Sequence, residues 1–135
     1  MRKFLQLEFV PRSVDCGLLL LRIWLGVTLF LKHGLEKITG FSHMAAHFPD
    51  PLHIGAVPSL VFALISDGIC SILIVFGVAT RLAALLVAIN TAVAFAFVHH
   101  FRFYGQGNGE LPWMYMGGAL ALVLAGAGRY SVDRR

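Results

Sequence analysis

The stretch from Leu18 to Lys37, LLLLRIWLGVTLFLKHGLEK, decides the fold, because it is an apolar run with one arginine inside it. A charged side chain at the centre of a membrane helix costs roughly 2.5–3.5 kcal/mol on insertion scales, so it is rarely kept without a partner or a function. Arg22 is therefore the first candidate for a buried interaction. The run ends in a second polar cluster, Lys32, His33, Glu36 and Lys37.

The composition is that of an integral membrane protein. The chain has 135 residues, of which 58% are hydrophobic and 13% are charged, and its mean hydropathy is +0.77. A soluble domain usually has about twice that charged fraction. The net charge is +4, but the basic residues flank apolar segments, which fits anionic lipid headgroups. We expect membrane lipid as a partner and no nucleic-acid binding.

Four apolar segments predict an all-α, integral membrane four-helix bundle that forms a single domain over residues 1–135. The predicted spans cover approximately residues 13–33, 59–78, 82–100 and 111–127. A polar, proline-containing loop separates the first two spans, and a very short turn makes the second and third a hairpin. In the fourth span, Gly117, Ala121 and Ala125 recur at four-residue spacing, which could support a homo-oligomer.

The distribution of lysine and arginine predicts that both termini are cytoplasmic. Seven basic residues then lie inside, namely Arg2, Lys3, Arg12, Arg81, Arg129, Arg134 and Arg135. Three lie outside, namely Lys32, Lys37 and Arg102. The same assignment places all six histidines at the outer side.

Two charges are predicted near the middle of the membrane. Arg22 in the first span and Asp67 in the second each lie roughly 13 Å from a helix end at 1.5 Å per residue. We expect them to form an ion pair that fixes the register of the two helices. The alternative is that one of them contacts a ligand or relays protons.

A polar stripe continues from this pair to the outer surface and predicts a ligand-binding pocket. The candidate residues are Arg22, His33, Lys37, Asp67, His99 and Glu110. Ammonium and imidazole groups can hydrogen-bond carbonyl oxygens and a carboxylate can exchange protons, which is the chemistry that a quinone head requires. The alternative is an ordinary wetted interface, in which Lys37 reaches lipid headgroups and Glu110 stabilises a helix N-terminus.

Metal and haem sites are less favoured by the sequence. His43 and His47 are four residues apart, but two prolines follow them and no third ligand has a fixed spacing. A haem held between His33 and His99 is geometrically conceivable, although no sequence motif supports it. Quinone is therefore the cofactor that we expect.

Several motifs together resemble the DoxX family of small four-helix membrane proteins. They are LLLLRIWLG, HGLEK, the acid of the second span, GVATRLAA, the late histidine of the third span, Glu110 and GAGRYSVD. The resemblance covers Ser13 to Asp133 and implies that all six candidate residues lie at family-pattern positions. Asp67 stands where glutamate is usual. Thiol-active relatives of the wider superfamily use paired cysteines, which are absent here.

The resemblance also implies a class of function. The family name derives from a subunit associated with a thiosulfate:quinone oxidoreductase, and other members are described as partners of redox or detoxification systems. We therefore expect a quinone-interacting subunit of a redox system in a bacterial inner membrane, working with a protein partner. A non-catalytic membrane scaffold is the alternative, and a small oligomeric transporter is a third possibility. Whether the chain is itself an enzyme stays open.

Overall fold

The computed structural model describes residues 2–133 and contains no strand in that range. Residue 1 and the two terminal arginines counted for orientation, Arg134 and Arg135, lie outside the described residues. The helices are α1 (Arg2–Leu5), α2 (Val14–Thr39), α3 (Phe41–Met44), α4 (Ala56–Phe76), α5 (Thr80–Val98) and α6 (Glu110–Ala125).

Three of these helices are long and apolar enough to cross a membrane, which confirms the prediction of an all-helical membrane protein. α2, α4 and α5 have 26, 21 and 19 residues. α6 is a shorter apolar helix of 16 residues that packs against α5 and α2. The predicted spans agree with these helices to within three residues, except that α2 continues beyond residue 33 to Thr39.

Two glycines let α2 and α4 approach closely and so set the register between them. A Cβ added to Gly34 would lie 2.5 Å from the backbone oxygen of Asp67, and one added to Gly26 would lie 2.6 Å from that of Ser71. Because neither position has room for a side chain, Gly34 is fixed opposite Asp67 and Gly26 opposite the turn that follows it in α4.

The core between the four main helices is built from small and branched apolar side chains. Leu29, Ile74, Val87 and Leu122 are almost fully buried, and alanines of α5 and α6 fill the narrow spaces between them. The outer faces are also apolar: Trp24 is 70% exposed and Leu124 83% exposed. An exterior of this kind suits contact with lipid chains, since a hydrophobic surface this extensive is rare on a soluble monomer.

The predicted ion pair between Arg22 and Asp67 is wrong. Arg22 is completely buried, but its Nη1 donates to the carbonyl oxygens of Ile74 and Val75 at 3.3 and 3.0 Å, and its Nη2 donates to that of Tyr130. The reason is the helix register, because Asp67 lies opposite Gly34, which is about three turns, or roughly 18 Å, from Arg22 along α2.

Arg22 instead satisfies carbonyl groups at the end of α4. The last turn of a helix has carbonyl oxygens without intrahelical partners and carries a partial negative charge, so a guanidinium is favoured there. Arg22 therefore has buried partners, as expected for a buried charge, but these partners are backbone carbonyl oxygens and not Asp67.

The last described residues, 126–133, fold back across the same end of the helices, and we call this segment the clasp. Asp133 accepts hydrogen bonds from the backbone N–H groups of Ala79 and Thr80, each at 2.8 Å, and so caps the start of α5. Arg129 N donates to Asp15 Oδ1 at 2.9 Å, next to the start of α2. The GAGRYSVD and GVATRLAA motifs therefore meet in one structural unit beside Arg22.

Candidate functional site

A cavity of about 380 Å³ lies at the end of the helices that is remote from the clasp. α2, α4, α5 and α6 all contribute to its walls, and five apolar residues of the segment 45–55 cover it. Most of the lining is apolar, as is usual for a site that binds a small molecule.

The lining residues that are exposed on the protein surface, which we call the mouth of the cavity, are apolar as well. Every lining residue whose side chain is exposed is hydrophobic, namely Pro49, Leu52, Ile54, Ile89 and Val98. In a membrane protein such a rim faces lipid chains more favourably than water. The cavity is therefore suited to an occupant that reaches it from the hydrocarbon layer.

A buried ion pair forms the polar part of the wall. Lys37 Nζ lies 2.8 Å from Asp67 Oδ2, and the two residues are only 8% and 5% exposed. Asn90 Nδ2 and Ser66 Oγ donate to the other carboxylate oxygen at 3.1 and 3.2 Å. Breaking such a pair would leave a buried charge unpaired, so both partners are needed to keep either one in the wall.

Each of the three long helices contains a widened π turn at the level of the cavity. The π segments are Phe30–Gly34, Ile65–Cys70 and Ala94–Val98. A π turn leaves backbone carbonyls without their usual partners and is frequent at functional sites. Side chains donate to carbonyl oxygens in two of these segments: Lys37 Nζ donates to His33 O at 3.3 Å, and Ser71 Oγ to Asp67 O at 2.6 Å.

Two histidines complete the polar lining. The His33 ring packs edge-on against Tyr115 with its centroid 5.8 Å from that of the phenol ring. His99 Nδ1 lies 2.8 Å from the carbonyl oxygen of Gly107. Because a carbonyl only accepts, His99 Nδ1 carries a proton and donates it to Gly107 O, so Nε2 is the nitrogen through which the ring can exchange a proton.

The structure brings four of the six candidate residues together and separates the other two from them. His33, Lys37, Asp67 and His99 line the cavity. Arg22 lies at the clasp end, as described above. Glu110 is the first residue of α6, where its backbone N–H donates to Asn108 Oδ1 at 3.2 Å, and its side chain is exposed outside the cavity lining.

Some residues of the site were not identified from the sequence. Asn90 and Tyr115 line the cavity, as does the apolar part of the segment 45–55, whose prolines and polar residues predict only a loop. The signal for Asn90 was present, because it is an uncharged polar residue in the middle of an apolar span. His43 and His47 lie outside the lining, and no group of three metal-binding side chains occurs within residues 2–133.

Asp50 holds the covering segment in place. Its Oδ1 accepts hydrogen bonds from Ile54 N and Ser59 Oγ, both at 3.0 Å, and its Oδ2 accepts one from Gly55 N at 2.8 Å. Desolvation acts to raise the pKa of Asp50, but the hydrogen bonds to its carboxylate outweigh this and hold the pKa below its ordinary value. Asp50 thus joins the covering segment to the start of α4.

Comparison with known proteins identifies the family. The DoxX family model matches residues 17–100. The chain belongs to the DoxX family. This DoxX protein is 35% identical over 124 residues to Inner membrane protein YqjF of Escherichia coli K12, a match that covers 89% of the chain and 92% of the relative. No solved structure matches the chain at a significant level.

Two further relatives match the DoxX protein over most of their length. An uncharacterized protein of Haemophilus influenzae is 36% identical over 125 residues, which cover 87% of the chain and 81% of the relative. The Bacillus subtilis protein named "Putative oxidoreductase CatD" is 30% identical over 124 residues, which cover 90% and 88%. The relative YqjF and the three helices suited to crossing a membrane identify the DoxX protein as an integral inner membrane protein.

Proposed function

We propose that this DoxX protein binds a quinone in its cavity and acts as the membrane subunit of a redox system whose partner protein supplies the electrons. The observation that supports this proposal most is the buried Lys37–Asp67 pair in the wall of a largely apolar cavity. The apolar walls and mouth suit the ring and tail of a quinone, and the ammonium group of Lys37 can donate to a ring carbonyl.

The neighbouring groups suit the proton changes that accompany quinone reduction, which takes up two electrons and two protons. Asp67 and His33 lie beside the ammonium group, and His99 has Nε2 for proton exchange. Carboxylate and imidazole groups are the usual proton carriers in proteins. The printed name of the Bacillus subtilis relative, "Putative oxidoreductase CatD", is consistent with this class of function.

The proposal includes four membrane crossings with both termini in the cytoplasm. The clasp and the start of α2 lie at the same end of the molecule, as an even number of crossings requires. α6 is about 24 Å long at 1.5 Å per residue, so it crosses the hydrocarbon layer only where that layer is thin. Gly117, Ala121 and Ala125 are exposed on α6 and would let a second copy pack closely.

The test is to purify the protein from its native membrane and to identify the co-purified lipid-soluble molecules by solvent extraction and mass spectrometry. Ala63 lines the cavity and is 4% exposed, so the larger side chain of Ala63→Phe should occupy the space of the cavity. We expect the wild type to retain a quinone and this variant to lose most of it.

Ala121→Phe is the matched control, because Ala121 is exposed on α6 outside the cavity lining. This variant should retain as much quinone as the wild type. Equal amounts of quinone in both variants, or none in the wild type, would contradict the proposal. A fully functional Ala63→Phe variant would instead favour a non-catalytic scaffold.

A further inference from the structure

Among the polar residues that line the cavity, Asn90 is the one whose presence is least explained by the packing of the helices. It lies in the middle of α5, lines the cavity and is partly buried. Its Nδ2 donates to Asp67 Oδ1 at 3.1 Å. Thr91, the next residue, differs from it, because its hydroxyl already donates to Val87 O and Ala88 O within the same helix.

The ion pair determines which way the Asn90 amide faces. Asp67 is paired with Lys37 and is therefore a carboxylate, which only accepts hydrogen bonds. The amide must turn its NH₂ group towards Asp67, because the opposite orientation would place two acceptor oxygens against each other. The carbonyl oxygen of Asn90 is thus directed away from the carboxylate, and it has no hydrogen-bond partner within residues 2–133.

Lys37 has an unused hydrogen-bond donor, whereas Asn90 has an unused acceptor. Its ammonium group has three N–H donors, of which one points to Asp67 and one to the backbone oxygen of His33. One donor remains. Asp67 therefore holds two side chains in the cavity wall, one with a free donor and one with a free acceptor.

We propose that Asn90 makes the cavity selective for a ring head group that carries a hydroxyl, so that the protein binds the reduced, hydroquinone form more tightly than the quinone. This inference rests on the proposed function. The carbonyl groups of a quinone only accept, so a quinone can use the free donor of Lys37 but leaves Asn90 unsatisfied. A hydroquinone hydroxyl both accepts from Lys37 and donates to Asn90.

The test measures binding of a matched pair of probes, 2-decyl-1,4-benzoquinone and 2-decyl-1,4-hydroquinone, to the full-length protein in detergent under anaerobic conditions. Affinities come from thermal stabilisation as a function of the probe-to-detergent ratio. Since one hydrogen bond is at stake, we expect the wild type to prefer the hydroquinone by roughly three- to tenfold. Asn90→Leu should bring this preference close to one by weakening only hydroquinone binding.

Thr91→Val is the matched control, because it removes a polar group from the same wall that is already satisfied, and it should keep the preference. Retained quinone binding by Asn90→Leu shows that the variant is folded, and Asn90→Ala replaces it if it does not accumulate. Equal affinities in the wild type, or equal losses for both probes in the Asn90 variants, would overturn the inference but leave quinone binding intact. If neither probe binds the wild type, the proposed function fails as well.

Discussion

Two cationic side chains are buried among residues 4–133, and each is stabilised in a different way. Arg22 is surrounded by backbone oxygens at a helix end, whereas Lys37 is paired with a carboxylate. The sequence correctly indicates that Arg22 and Asp67 are buried charges. The predicted ion pair between them is wrong because the depth of each residue was counted from the end of its apolar segment, which does not give the register of the helices. The close contact at Gly34, which sets the true register, depends on backbone shape and cannot be read from hydropathy.

The Lys37–Asp67 pair predicts a strongly non-additive double mutant. Lys37→Met or Asp67→Leu alone should destabilise the protein by about 3–5 kcal/mol, because each leaves one charge buried without its partner. The double variant should recover most of this loss. Unfolding of the purified protein in mixed micelles with a denaturing detergent measures all four states. Additive effects would show that the two side chains do not interact.

At the scale of the helices, the apolar segments of the sequence lie close to the helices of the structure, whereas the π turns had no sequence signal. Apolar length is a local property of the sequence, so the positions of α2, α4 and α5 could be predicted to within a few residues. A π turn arises when packing and side-chain hydrogen bonds compensate for the disturbed ladder. The contact between Asn90 and Asp67 could not be predicted for a similar reason, since only the packing of α4 against α5 brings these two side chains together.

Gly34 predicts an unusual effect for a glycine-to-alanine change in a helix. Gly34→Ala should destabilise the protein by about 1–3 kcal/mol, because the added Cβ meets the backbone of α4. Gly117→Ala is the control, since a Cβ there has no atom within 4 Å, and helix propensity alone should stabilise it by about 0.5–1 kcal/mol. Thermal unfolding of both variants checks the contrast, and a stabilised Gly34→Ala would contradict the packing of α2 on α4.

The hydrogen bonds of Asp50 predict a pH-dependent attachment of the covering segment. Since the pKa of Asp50 is lowered by folding, its stabilising effect is present above the ordinary aspartate value of about 3.9 and is lost as the pH falls below it. The melting temperature of Asp50→Asn should therefore lie below that of the wild type from pH 7 to about pH 4. The difference should close at lower pH.

Glu110→Gln is the control for this measurement, because the Glu110 side chain is exposed and accepts no hydrogen bond from the part of the chain that the structure describes. Its melting temperature should follow that of the wild type over the whole range. A difference between Asp50→Asn and the wild type that persists unchanged at pH 3 would show that the charge of Asp50 is not what holds the segment.

At the scale of the whole molecule, the polar groups divide between two ends with different tasks. The clasp end holds the motifs on which the family resemblance largely depends, and they serve the architecture. The opposite end holds the cavity, whose polar lining the sequence predicted in part, through His33, Lys37, Asp67 and His99. Glu110 was predicted to line the cavity because it lies at the same depth as the other candidate residues. Its side chain is exposed outside the lining, because the first residue of a helix can face outward at that depth.

The two cysteines provide a direct test of the proposed orientation. Cys16 is exposed at the clasp end and Cys70 is buried, so a membrane-impermeant maleimide should label only Cys16. We expect labelling in inverted inner-membrane vesicles and none in spheroplasts. Gln106→Cys in a Cys16→Ser background, an exposed position at the cavity end, should give the reverse pattern. Labelling of Cys16 in spheroplasts would show that the orientation is the reverse of the proposed one.

The clasp imposes an order of events on the biosynthesis of the protein. Arg22 is made with the first long helix, but Tyr130, which accepts one of its hydrogen bonds, and Asp133, which caps α5, follow α6 in the chain and are synthesised after it. Since a chain is made from its N-terminus, every helix can be inserted before this end of the molecule can close. A chain that lacks residues 126–133 would still contain α2, α4, α5 and α6, but without the contacts of the clasp it would be open to the proteases that remove incompletely folded intermediates.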